Sequence, residues 1–188
     1  MHKQYIYTNN GDVSLFSKNI TDMVESLTRK KNIKGILIVC VGTDRSTGDS
    51  LGPLLGYKLN HLTNDYFKVL GTLDNPVHAM NLERFLRKIE CEYSDWLIIG
   101  IDASVGKSFD IGNIILKEDA LYPGLGVNKN LGSFGDITIT GIVTSYNKDI
   151  MNVRLSLVMN IADFIYNGIL QARLFNNRTN AQKEYYFA

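Results

Sequence analysis

The sequence is poor in the residues that build many recognisable sites. It has two cysteines, Cys40 and Cys91, and three histidines, His2, His61 and His78. No Cys-x-x-Cys or His-x-x-His spacing occurs, which removes the usual support for a zinc centre. Cys40 falls inside an apolar run, so both thiols are expected to be reduced, as in a reducing compartment. The opening residues Met1-His2-Lys3-Gln4-Tyr5 lack the apolar stretch of a signal peptide. No apolar run approaches the roughly 20 residues needed to cross a bilayer. A formal net charge of +1 gives no electrostatic case for nucleic acid or an anionic membrane as partner. The expectation is a soluble cytoplasmic protein.

Cofactor fingerprints are missing too. Gly42 and Gly71 do not assemble a dinucleotide motif. The glycine-rich run Pro123-Gly124-Leu125-Gly126-Val127-Asn128-Lys129-Asn130 lacks the Gly-Lys-Ser/Thr that opens a helix in a phosphate loop. Such a loop could still cradle an anion or a peptide backbone. Ser50 and Ser104 have no histidine placed by the sequence to act as base, so a serine triad has no support. No cofactor and no metal are called for.

What is present is an ordinary globular composition. The 188 residues are 45% hydrophobic and 21% charged, enough for one well-buried domain over residues 1–188, with a polar tail from about 176. Apolar runs predict buried strands over 35–41 and 96–101, residues 67–70 read as a short strand, and alternation predicts two more over 111–117 and 137–144. Helical spacing predicts helices over 14–31, 50–62, 77–89 and within 148–174, with Ser50 capping the second and Pro53 in its first turn. The first dozen residues read as irregular, and the region 119–136 as a long glycine-rich loop. Strands alternating with helices predict an α/β fold with a largely parallel sheet and helices on both faces.

Such sheets do their chemistry in the loops at the carboxyl ends of strands. Two aspartates fall there. Asp49 lies in the loop Val41–Pro53 after the first apolar strand, at the start of a helix whose dipole favours its ionised form. Asp102 follows the apolar run Leu97–Ile101. Each alone is an ordinary cap or turn residue. As a pair they can converge, one activating water while the other protonates a leaving group or steadies charge. Around them, Thr43, Asp44, Asp74, Asn75 and the loop glycines Gly124 and Gly126 are the candidate substrate contacts. Asp74 and Asp136 sit in neighbouring loops that could reach the same edge. His61 and His78 read as helix-end and surface residues.

These segments resemble a known family. The stretch Val41–Pro53, with Gly42, Thr47, Asp49, Leu51, Gly52 and Pro53, resembles the first active-site segment of the germination protease of spore-forming bacteria. Ile101-Asp102-Ala103 resembles the segment carrying its second aspartate, Pro123–Lys129 its glycine-rich loop, and Ile139–Val143 its late strand. The runs Gly42–Asp49, Gly71–Ala79 and Gly135–Val143 are similar to those of the smaller YyaC-type sporulation proteins. The resemblance spans roughly residues 35–165. It implies a three-layer α/β/α sandwich, the fold shared with hydrogenase-maturation endopeptidases. It also implies an aspartate pair at Asp49 and Asp102, a peptide or small spore protein as partner, and a place in the forespore cytoplasm. The maturation endopeptidases have Glu after the position of Asp49 where this chain has Ser50, which argues against nickel sensing. Two readings stay open: an aspartate-dependent peptidase-like hydrolase, and an inactive relative that binds a peptide or protein during spore formation. Self-association is open as well.

Overall fold

Ile36–Cys40 (β2) is a strand with all five side chains buried, and its pleat divides the molecule. Ile36, Ile38 and Cys40 enter one core, while Leu37, Val39 and Val41 enter the other, as the two-residue period of a strand dictates. The computed structural model describes residues 3–123, 132–146 and 148–176. Its elements run β1 (Gln4–Thr8), α1 (Val13–Lys30), β2, α2 (Leu51–Leu59), β3 (Phe67–Leu70), α3 (Leu82–Glu92), β4 (Leu97–Gly106), β5 (Asn113–Lys117), β6 (Ile137–Ser145) and α4 (Leu155–Ala172). No helix among the described residues is long and apolar enough to cross a membrane.

The six strands form one sheet in the order β1-β5-β6-β4-β2-β3. The four strands β3, β2, β4 and β6 run parallel. β5 lies antiparallel to both β6 and β1. The difference was written in the side chains. The central parallel strand β2 is continuously apolar because both of its faces are covered, whereas β5 alternates half-buried with buried residues. On one face α1, α2 and α4 cover the sheet through Phe16, Ile20, Leu51, Leu55, Ile161 and Ile165. On the other, α3 (Leu82, Ile89) packs with Val77, Leu121 and Phe134. The architecture is therefore the expected α/β sandwich, with three α-helices on one side and one on the other among the described residues.

Three expectations need correction. The first dozen residues are not all irregular: Gln4–Thr8 forms an edge strand on β5, with Tyr7 buried and Ile6 exposed. Its five residues are too few to give a clear periodicity. The helix expected from residue 77 begins at Leu82 instead. Val77 pairs with Val41 as an isolated bridge, so its apolar side chain is a sheet residue rather than the first turn of a helix. The strand expected over 96–101 runs on to Gly106, which places Asp102 inside a strand and not beyond one.

Candidate active site

The site exists because adjacent parallel strands have unequal lengths. β2 ends at Cys40, opposite Ile101, whereas β4 continues. Val41 N–H still donates to the Ile101 carbonyl (2.7 Å), and Gly42 N–H donates to the Val77 carbonyl (2.8 Å). There the chain turns. Gly42 has φ +136°, and a Cβ on it would stand 2.0 Å from the Asp49 carbonyl oxygen, so no other residue fits. The loop then closes on itself. Thr43 N–H donates to the Asp49 carbonyl (3.1 Å), Asp49 N–H to Ser46 (3.1 Å) and Ser50 N–H to Thr47 (3.3 Å). The last turn, Gly48–Ser50, is 3-10 and leads into α2. Ser50 does not cap α2 as expected. Its Oγ donates backwards to the Thr47 carbonyl (2.6 Å), a local bond that competes with capping.

Asp102 stands beside this loop. By strand alternation it shares the face of Ile98, toward α3 and Val77. β2 offers no residue opposite Ala103, and the Ala103 N–H donates to Asp102 Oδ1 instead (2.8 Å). Each carboxyl is partly buried, and each binds its proton more tightly than an ordinary aspartate. Burial pushes Asp49 up to about 6, although the Thr43 N–H and the nearby His78 pull it back. Burial also holds Asp102 well above the usual carboxylate range; the neighbouring charge of Asp49 adds to this, and the Ala103 N–H opposes it. Asp49 and Asp102 therefore lie near enough for the charge of the first to raise the proton affinity of the second.

His78 is the residue that sequence reasoning missed. It sits one position after the bridge residue Val77. Its N–H donates to Asn81 Oδ1 (2.8 Å) and Asn81 Nδ2 donates to the Pro76 carbonyl (2.9 Å). Its ring Nδ1 accepts the Met80 N–H (3.3 Å). The signal was the preceding Pro76-Val77: an apolar residue at the same sheet edge as the Asp49 loop reads as a bridge as readily as a helix start.

The other expected contacts divide. Thr43 belongs to the loop, and its Oγ1 accepts the Arg45 N–H (3.3 Å). Asp44 is exposed and takes no part in the pair. Asp74 and Asn75 line a cavity of about 610 Å³ together with His78, Arg84 and Lys88. Gly124 and Gly126 lie outside the described residues. Asp136 is at the opposite end of the sheet, paired with Lys31 (2.6 Å) and accepting the Ile98 N–H (3.0 Å), so it does not reach this edge. Among the described residues no group of three or more His, Cys, Asp or Glu side chains is placed to hold a metal ion.

The fold is that of an α/β sandwich protein, with Asp49 and Asp102 at the carboxyl edge of its parallel strands. The chain belongs to the family described as "Protein of unknown function (DUF1256)", whose model matches residues 6–168. It is 40% identical over 157 residues to the uncharacterized protein YyaC of Bacillus subtilis (strain 168), covering 81% of this chain and 77% of that one. The crystal structure of the [NiFe] hydrogenase maturation protease HycI from Thermococcus kodakarensis KOD1 superposes with a TM-score of 0.49 at 19% identity. That match covers 82% of this chain and 99% of the other.

Proposed function

We propose that this protein is a peptidase-like hydrolase of spore formation, acting on a peptide or small spore protein in the forespore cytoplasm through Asp49 and Asp102. The observation that carries the reading is the convergence of two partly buried carboxyls whose proton affinities are raised, one of them by the other. Above about pH 6 Asp49 is the ionised member and takes a proton from the attacking water. Asp102, which keeps its proton, hydrogen-bonds the scissile carbonyl oxygen and then gives that proton to the departing nitrogen. The C–N bond breaks, the water oxygen becomes the new carboxyl oxygen, and no cofactor enters the balance. His78 favours the charged form of Asp49. The sporulation context rests on the resemblance of the Gly42–Asp49, Gly71–Ala79 and Gly135–Val143 segments.

Incubating the full chain with small acid-soluble spore proteins, with products read by mass spectrometry, tests this. Cleavage should fall at least about a hundredfold in both Asp49→Asn and Asp102→Asn, the scale on which a positioned acid or base acts. Unchanged cleavage in the two variants would overturn the pair. Binding that survives both substitutions with no turnover in any form would establish the inactive, peptide-binding relative instead.

A further inference from the structure

β3 is an edge of the sheet, and part of its outer side has no partner. Ile36 lies opposite Phe67, and its N–H donates to the Tyr66 carbonyl (2.8 Å). In a parallel ladder this register turns Tyr66, Lys68 and Leu70 toward β2 and Phe67 and Val69 away from it. Phe67 is closed off by its own chain: its N–H donates to Asn64 Oδ1 (3.0 Å) and its carbonyl accepts the Asn64 N–H (2.9 Å). The N–H and C=O of Val69 have no such cover among the described residues. They border the 610 Å³ cavity, whose far wall is α3. At Gly71 (φ +86°) the chain leaves the sheet, loops out through Thr72–Pro76 and returns at Val77. That loop forms the cavity wall leading to His78, and so to Asp49. From α3, Arg84 and Lys88 line the same cavity four residues apart, on one helical face. Lys88 is only loosely paired, 3.8 Å from Glu92. Two cations therefore face one carboxylate, the exposed Asp74.

We propose that the β3 edge captures an extended peptide segment as an added strand through the Val69 N–H and C=O, with an acidic side chain of that segment set against Arg84 and Lys88. The Thr72–Pro76 loop then leads the peptide toward the aspartate pair. Main-chain bonds supply affinity in such strand addition, and side-chain pockets supply selectivity. The proposal rests on the hydrolase reading only for the destination of the peptide.

The test uses the full chain carrying Asp49→Asn, so that binding is read without turnover. A random decapeptide library displayed on phage is selected on it. Enriched peptides are then made with a fluorescein label and titrated by fluorescence polarisation. They should share an Asp or Glu. Adding Val69→Pro should weaken them about tenfold or more, the effect of losing one hydrogen bond. Proline is tolerated where an edge-strand N–H faces outward, and an unchanged thermal midpoint verifies the fold. Arg84→Glu with Lys88→Glu should reverse the preference toward Lys. Should Val69→Pro fail to fold, single N-methylation along the peptide replaces it, with binding lost at the one residue whose N–H meets the Val69 carbonyl. No enrichment, no shared acidic residue, equal affinity for the proline variant, or uniform tolerance of N-methylation would each overturn the proposal. Capture without cleavage by the wild-type chain would sink the hydrolase reading alone. Aspartate-dependent cleavage without capture at β3 would sink this proposal alone.

Discussion

Replacing Asp49 by Asn should make the protein more stable at neutral pH while removing the cleavage proposed for it. An ordinary aspartate titrates near 3.8, and Asp49 titrates at about 6. The gap is about two units, each worth about 1.4 kcal/mol, which sets a ceiling near 3 kcal/mol. Part of the side chain meets solvent, and screening brings the expected figure to about 1–2 kcal/mol. Because the folded state holds this proton more tightly than the unfolded chain, Asp49 costs nothing below pH 3.8, where both states are protonated. Its cost grows between 3.8 and about 6 and is complete above that. Asn cannot ionise, and its oxygen can still accept the Thr43 N–H. Its substitution also removes the charge that raises Asp102, so the gain at pH 8 adds a second contribution of the same sign. Urea unfolding from pH 4 to pH 8, followed by the fluorescence of the single tryptophan, Trp96, measures the difference directly. The two proteins should match near pH 4, with the variant ahead by 1 kcal/mol or more at pH 8. Parallel profiles, or a variant weaker than wild type at pH 8, would refute the placement of Asp49 as a desolvated carboxyl.

Gly42→Ala should cost about 3 kcal/mol or more in urea unfolding, since φ +136° and a 2.0 Å approach to the Asp49 carbonyl admit no Cβ; a loss below about 1 kcal/mol would contradict the loop geometry. Ser46→Ala should be neutral or stabilising by up to about 1 kcal/mol, because its Oγ is buried with no hydrogen-bond partner among the described residues. A clear loss on the same assay would reveal a partner. His78→Gln should raise the Asp49 titration above about 6, as His78 favours the ionised carboxyl. Carbon-13 NMR of the aspartate carboxyls reads this, and an unmoved titration would separate His78 from the site.

How far the sequence could be read depends on how local the determining physics is. β2, β3, β6 and the body of α1 follow from apolar runs and from spacing within each segment. α1 even shows its cap, with Asp12 accepting the N–H groups of Ser14 (2.8 Å) and Leu15 (3.4 Å). β1 escaped because a five-residue strand at an edge is made by its partner β5 rather than by its own pattern. The start of α3 escaped for a related reason. Val77 is apolar at helical spacing, but Val41 and Gly42 claim it for the sheet. That one misassignment hid His78, whose place in the site depends on Val77 being a bridge. Asp49 was legible because its glycine-broken loop is local. Asp102 was legible as a residue, though not as one inside a strand, since the length of β4 is set by β6 along Asp102–Gly106.

The unequal strands explain why the pair sits where it does and why it carries a cost. If β2 ran as far as β4, it would cover the edge of β4 beside Asp102 and take the Ala103 N–H into the ladder. Because β2 stops at Cys40, that N–H falls to Asp102 (2.8 Å), and the Asp49 loop folds into the step. Ile101 below the step and Val77 beside it are fully buried, so the carboxyls meet a poorly solvated base rather than open water. Desolvation of this kind disfavours the ionised form. It therefore does two things at once: it raises the proton affinity of Asp102, as the proposed acid requires, and it subtracts from the stability of the fold. A structural pair of caps would have no reason to accept that subtraction, because an Asn at either position would accept the same N–H groups without it. The combination of raised proton affinity and replaceable hydrogen bonding supports the proposed chemical role of Asp49 and Asp102 over a purely architectural one.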